Sequence, residues 1–269
     1  MYLADYHTHT AFSPDGKCPM EELAECAIGA GLQELCFTDH IDPYYWKGFT
    51  PRDSHPWQEM YAVFEKTADR FGDRLKLRYG AEMGEAYWSF ERAEKILGEA
   101  PFLDFLIASV HMSARRSGAF DLYSIENRDE AYYHDIIDGY MEEMLLLAQW
   151  GKFDVLGHLT LPLRYINENY GHHLTFEQHM HQAEEVLRVI IPKGVGIECN
   201  TNRGNGCLPD ETVLKLYREL GGEIITIGSD AHTADQVGFA VAEAQELLRE
   251  CGFRYFTTFT KHKPEFHTL

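Results

Sequence analysis

The amino-acid sequence predicts an α/β fold: a closed β/α barrel in a single domain over residues 1–269. Three observations point there. Strand-like and helix-like segments alternate from one end of the chain to the other. The strand-like runs are short and nearly all apolar, as parallel strands buried on both faces are. Most of these runs end in a histidine with an acidic or hydroxyl residue close by. Several strand ends feeding one place suits a barrel. An open doubly wound sheet gathers its ligand at one switch point, and no Gly-x-Gly-x-x-Gly follows the first strand.

The elements follow in order. Residues 2–6 form a strand that runs into His7-Thr8-His9. A helix over 19–30 opens with Pro19 at a first helical position and stops at Gly31. Strand 34–38 ends in Asp39-His40. Helix 57–71 spaces Met60, Phe64, Ala68 and Phe71 by three and four residues. Strand 75–82 closes on Glu82, and strand 105–110 on His111. Helix 131–150 carries Tyr133, Ile136, Ile137, Tyr140, Met144 and Leu147 and ends at Gly151. Strand 154–157 precedes His158. Helix 175–191, strand 195–200, helix 210–220 and strand 224–229 lead to Asp230-Ala231-His232, and helix 235–251 follows. A weaker eighth strand is expected over 254–258. Each apolar stripe is read as a helix face packed on the sheet. Stretches 41–56, 113–128 and 162–174 lack clear periodicity and read as active-site loops.

The bulk composition narrows the function class. Lys and Arg total 24 against 43 Asp and Glu, a net charge of −19. That argues against nucleic acid or an anionic membrane as partner, although bound divalent ions would reverse the potential locally for an anionic substrate. No run approaches the length of a membrane span, and the opening residues lack the pattern of a signal peptide. A cytoplasmic location is expected. The six cysteines contain no Cys-x-x-Cys pair and are expected as free thiols, with Cys199 a minor candidate ligand. Of the 14 histidines, those at 55, 134, 172, 173, 179, 181, 262 and 267 are expected at the surface, with His172-His173 able to touch substrate.

The remaining histidines join a donor set. His7 and His9 lie on one side of an extended strand end, because side chains alternate with period two. Asp15 follows in Ser-Pro-Asp-Gly. His40, Glu82, His111, His158, Asp230 and His232 complete nine candidate metal ligands. Buried carboxylate at Glu82 requires a partner, and Glu85 is a weaker alternative ligand. Imidazole and carboxylate together suit Zn²⁺, Mn²⁺ or Fe²⁺. Nine donors exceed one tetrahedral ion and suit two or three, with water at open positions.

These motifs resemble the PHP (polymerase and histidinol phosphatase) superfamily. The matching pieces are His7-Thr-His9, Thr38-Asp39-His40, Glu82 after Gly80-Ala81, Ser109-Val110-His111, Gly157-His158 and Gly228-Ser229-Asp230-Ala231-His232. The resemblance implies a distorted, TIM-like (β/α)7 barrel, which would leave the eighth strand outside. It also implies up to three divalent metals on the nine residues, with Asp15 standing where many relatives have histidine. Within the superfamily, Phe-Asp-Val-Leu-Gly-His158, Arg164 and Glu198-Cys-Asn-Thr-Asn-Arg203-Gly are similar to the histidinol-phosphate phosphatase branch. That similarity implies phosphate contacts from Arg164 and Arg203. Arg115 and Arg116 are possible lid residues.

The expected reaction is hydrolysis of a small phosphate ester, L-histidinol phosphate, by a metal-bridging hydroxide, with ions and arginines spreading charge on the phosphoryl oxygens. Ser109, Ser229 and the cysteines lack a base-and-orienter pair, which disfavours a covalent route. The alternatives are a phosphoesterase for another small ester or a phosphodiester, a metal-binding protein without turnover, and an amidohydrolase. The last normally carries a metal-bridging lysine, and no lysine sits at a strand end here.

Overall fold

A computed structural model describes residues 1–113 and 120–269; Arg115 and Arg116 lie outside the described residues. In chain order the strands are β1 (Ala4–Asp5), β2 (Glu34–Phe37), β3 (Lys76–Gly84), β4 (Phe105–Ser109), β5 (Met112–Ser113), β6 (Phe120–Asp121), β7 (Val155–Leu156), β8 (Gly196–Asn200), β9 (Ile225–Gly228), β10 (Tyr255–Thr260) and β11 (Lys263–Thr268). The helices are α1 (Met20–Gly29), α2 (Trp57–Phe71), α3 (Phe90–Gly98), α4 (Glu130–Trp150), α5 (Pro162–Tyr170), α6 (Met180–Ile190), α7 (Glu211–Glu219) and α8 (Val241–Glu250).

Seven strands form one parallel sheet in the order β1-β2-β3-β4-β7-β8-β9. The last strand returns to the first. Tyr6 N donates to Ile227 O (2.9 Å), His9 N donates to Ala231 O (2.8 Å), and Thr8 bridges Ala231 in parallel. The result is the nearly closed, helix-wrapped (β/α)7 barrel that the sequence led one to expect. The apolar runs are its reason: β2, β4, β7, β8 and β9 are buried at every residue, because helices cover them outside and side chains fill the barrel inside.

The eighth strand candidate is indeed not a barrel stave. Residues Tyr255–Thr260 pair antiparallel with Lys263–Thr268, and this hairpin packs on the barrel where Phe259 N donates to Tyr6 Oη (2.9 Å).

Two helices fall where no periodicity was read. α3 starts at Ser89, whose hydroxyl accepts the Arg92 amide; its two buried residues, Ala93 and Ile96, make too brief a stripe to detect. α5 occupies the stretch expected as loop. Pro162 stands at its first turn and Gly171 closes it in the left-handed conformation. The expected helix 175–191 begins instead as a 3₁₀ turn at Glu177–His179.

Candidate metal centre

The C-terminal ends of the strands bring all nine expected ligands to one end of the barrel. At the centre is Glu82, on β3 and fully buried. Its Oε2 lies 3.2 Å from His7 Nε2, 3.5 Å from His9 Nε2 and 3.2 Å from His40 Nδ1. Its Oε1 lies 3.2 Å from His111 Nε2 and 3.1 Å from His158 Nε2. Asp230 Oδ1 stands 3.6 Å from His7 Nε2 and 3.4 Å from His9 Nε2. Asp15 completes the rim, with its carboxylate 3.0 Å from His232 Nε2 and 3.8 Å from His40 Nε2.

Supporting residues fix which imidazole nitrogen faces inward. His7 Nδ1 meets Glu198 Oε1 at 2.6 Å, and His9 Nδ1 meets Ser13 Oγ at 3.2 Å. His232 Nδ1 lies 2.8 Å from Asp230 O. A proton held at Nδ1 leaves the Nε2 lone pair free, as a metal-ligating histidine requires. Ser13 Oγ in turn donates to Asp39 Oδ1 (2.6 Å), and Thr10 N donates to the same carboxylate (2.7 Å). Two glycines allow this crowding. A Cβ on Gly228 would stand 2.3 Å from Glu198 Oε1 and 2.4 Å from His7 Cβ. One on Gly157 would stand 2.5 Å from Ser109 Oγ. Non-glycine residues with positive φ collect at the same end: Glu85 (47°), His158 (24°), Asn202 (47°), Arg203 (53°) and Asp230 (58°). Such strain persists where the surrounding structure over-determines the backbone, commonly at functional sites.

The donors fit divalent cations. His7 Nε2, His9 Nε2, His40 Nδ1 and Glu82 Oε2 are buried and have no hydrogen-bond partner, although they face one another. Unpartnered buried polar atoms are costly, and a cation shared by these lone pairs removes that cost. The electrostatics favour positive charge at this place, which protons or metal cations can supply. Burial pushes the Glu82 carboxyl up, but His7, His111 and His40 outweigh it and hold it well below the usual range. Burial works against charge on His7, yet Glu198, Glu82 and Asp230 keep its imidazole well above the ordinary value. His40 goes the other way, lowered by burial and by the neighbouring His9. His111 is held up at about 10: burial opposes its charge, and Glu82, Glu85 and Asp42 outweigh it.

Two further carboxylates lie beside this set. Asp42 and Glu85 are buried next to His111 and form a donor group with it. Burial pushes Glu85 up to about 8 and Asp42 up to about 6. Glu85 Oε1 accepts the amides of His111 (2.7 Å) and Met112 (3.0 Å), so it positions His111. The sequence reading missed Asp42, five residues past the end of β2. It also missed the structural part of Glu198, which anchors both His7 and the His158 amide (2.8 Å).

Over the donors opens a cavity of about 280 Å³. Asp15, His40, His111, His158, Asp230 and His232 face it, together with Arg164, Trp46, Met112, Asp121, Tyr123, Leu161 and Tyr165 among the described residues. Arg164 is buried; its guanidinium donates to Asp230 Oδ2 (2.8 Å) and Asn200 Oδ1 (3.1 Å). Arg203 is exposed in the turn Asn202–Gly204 and is not part of this wall.

Three expectations need correction. Cys199 joins no donor group among the described residues; on β8 it alternates with Glu198 and Asn200, so it faces the other side. His172 and His173 line a separate cavity with Glu130 and Tyr133, where His172 Nε2 meets Tyr133 Oη at 3.0 Å. His55 and His179 are buried and not at the surface. The cysteines are free thiols as expected, and no helix among the described residues is long and apolar enough to cross a membrane.

Comparison with known proteins agrees with this geometry. The PHP domain family matches residues 5–202. The histidinol-phosphatase of Lactococcus lactis subsp. lactis is 29% identical, over 98% of this chain and 96% of that protein. A crystal structure of the histidinol phosphate phosphatase of that organism, in complex with zinc, L-histidinol and phosphate, superposes with a TM-score of 0.80 at 25% identity, covering 98% of each chain. A Listeria monocytogenes structure shares the fold with a TM-score of 0.74 at 17% identity, covering 89% of this chain and 99% of that one. With its motifs in order, its seven-stranded barrel and a family match over more than half of its length, the chain belongs to the PHP domain family.

Proposed function

We propose that this chain, working as one domain over residues 1–269, is a metal-dependent phosphatase that hydrolyses L-histidinol phosphate to L-histidinol and phosphate. One observation carries the reading: unpartnered donor atoms of His7, His9, His40 and Glu82 converge beside a buried arginine at the floor of a substrate-sized cavity. The similarity of almost the whole chain to a histidinol-phosphatase supports the choice of ester.

Two or three divalent ions (zinc, manganese or iron) would be held here. The groups that would hold them include His9, His40 and His232; His7, His9 and Asp230; His7, Glu82 and His158; and His40, Glu82 and His111, with Asp15 beside His232 and His40 as a further donor. Bound there, such ions supply positive charge to phosphoryl oxygens and acidify water. The chain does the rest. Glu198, Ser13 and the Asp230 carbonyl hold the imidazoles of His7, His9 and His232 in the ligating orientation. Arg164, pinned by Asp230 and Asn200, directs its remaining N–H groups to the phosphate, where a planar fork suits the oxygens. Arg203, exposed on the turn after β8, is the proposed second phosphate contact. Neither nearby serine serves as a nucleophile: Ser109 donates to Glu82 (2.5 Å) and Ser229 to Asp5 (2.5 Å).

The test is phosphate release from a panel of monoesters with Mn²⁺ or Zn²⁺ supplied. Histidinol phosphate should be favoured by at least about tenfold in kcat/KM. Turnover no faster than for sugar phosphates or nucleotides overturns the reading, as does metal binding without hydrolysis, or cleavage of amides in place of esters.

A further inference from the structure

We infer that Asp121 selects the substrate by pairing with a cationic group on the alcohol part of the ester. The inference rests on the phosphatase reading above and adds to it the residue that tells one phosphate ester from another.

The cavity wall divides by chemistry. Six of its described residues are candidate metal donors, and Arg164 is assigned to phosphate above. Among the described residues, that leaves Trp46, Met112, Asp121, Tyr123, Leu161 and Tyr165 for the alcohol part of a bound ester. Among the described residues of the cavity wall, Asp121 is the one carboxylate outside the donor set. It stands among aromatic and apolar side chains.

Its position is fixed by the same segment that carries His111. β6 pairs antiparallel with β5, and Asp121 is the register partner of Met112, the residue after His111. Leu122 N donates to His111 O (2.9 Å), and Leu122 is fully buried. Tyr170 Oη clamps the next turn by donating to Ile125 O (2.5 Å). Asp121 Oδ1 accepts the Tyr123 amide (2.9 Å), and Oδ2 has no hydrogen-bond partner among the described residues. The carboxylate is therefore held at a constant offset from a metal ligand with one oxygen to offer. Tyr123 and Tyr165, edge to face at 5.8 Å, add ring faces that a cation or an imidazole can use. The alcohol of L-histidinol phosphate carries an ammonium and an imidazole. A neutral alcohol would leave Asp121 facing the ligand unpaired, and sites built around a polar partner discriminate most strongly against analogues lacking it.

The experiment measures kcat/KM for histidinol phosphate and for glycerol phosphate, which lacks a cation, on the metal-loaded wild type, Asp121→Asn and Asp121→Glu. Asparagine can still cap the Tyr123 amide, so the local turn is preserved. The expected result is a wild-type preference for histidinol phosphate that falls by about tenfold or more in Asp121→Asn and recovers in part in Asp121→Glu. A wild type without preference for the cationic ester overturns both the histidinol phosphate reading and this inference. A wild-type preference that Asp121→Asn retains overturns this inference alone. So does an equal loss on both esters, because it would place Asp121 in loop order or chemistry and not in selection.

Discussion

Glu34 and Glu82 are both glutamates with no solvent exposure, on the neighbouring strands β2 and β3. They sit at opposite ends of the barrel and are treated in opposite ways. At the N-terminal end, Glu34 Oε1 accepts from Tyr6 Oη (2.7 Å) and Arg78 Nε (2.6 Å), and Oε2 accepts from Tyr2 Oη (2.7 Å). Lys76 Nζ adds a further positive charge at 3.3 Å. The protein neutralises that carboxylate with its own donors. At the C-terminal end, Glu82 Oε2 is ringed by three imidazoles and hydrogen-bonded to none. The difference separates a buried charge that the protein neutralises itself from one whose lone pair is left open, as the proposed cation site requires. Burial alone would not tell them apart; the partners do.

The contrast can be broken from either side. The largest effect on activity should come from Glu82→Gln. Losing the shared carboxylate should cut kcat/KM by at least about 100-fold and lower the metal content found by elemental analysis. Glu34→Ala should leave metal content per folded chain intact yet destabilise the fold by about 1–3 kcal/mol, because it removes the acceptor shared by Arg78, Tyr2 and Tyr6; denaturant unfolding measures this. A Glu34→Ala protein as stable as the wild type would refute the reading of the N-terminal end.

Smaller effects sharpen the picture. Arg164→Ala should raise KM for the phosphate ester by about tenfold or more, since a buried fork is lost. Arg203→Ala should raise it by only about two- to fivefold, in keeping with its exposed start. Steady-state kinetics on both variants, at saturating metal, gives the order.

The smallest effect concerns pH at the N-terminal end. The bond from His262 Nδ1 to Asp154 Oδ2 (2.8 Å) raises the His262 imidazole above its ordinary value, against the effect of burial. A raised folded-state value means the pair stabilises fully below the ordinary histidine value and is lost as pH rises through the folded one. The imidazole is 48% exposed, so solvent screens the pair to a few tenths of a kcal/mol. His262→Ala should therefore unfold slightly earlier than wild type near pH 5.5 and identically near pH 8.5, both about one to two units from the ordinary value of histidine.

What could be read from the sequence follows the same division. The seven barrel strands were legible because strands buried on both faces are apolar along their length. The convergence of the nine candidate donors was legible because each stands at or just past such a strand, or, for Asp15, in the turn beside the first. The supporting carboxylates were harder to see. Asp42 and Asp121 are brought to the site by backbone paths with no sequence period, through the loop after β2 and the β5–β6 hairpin. α5 was hidden because its apolar stripe reduces to Leu163 and Ile166 around the buried Arg164. The Glu34 network could not be foreseen at all: Tyr2, Tyr6 and Arg78 meet only when β1, β2 and β3 are laid side by side.

The proposed phosphatase requires the Glu82 end to be built for cations. The most direct measurement is the metal-to-chain ratio of the purified wild type and of Glu82→Gln, taken side by side after dialysis against Mn²⁺ or Zn²⁺ and removal of free metal. Two to three ions per wild-type chain, and a clear loss of at least one in the variant, are expected. Fewer than one ion per wild-type chain, or equal ratios in the two proteins, would contradict that requirement.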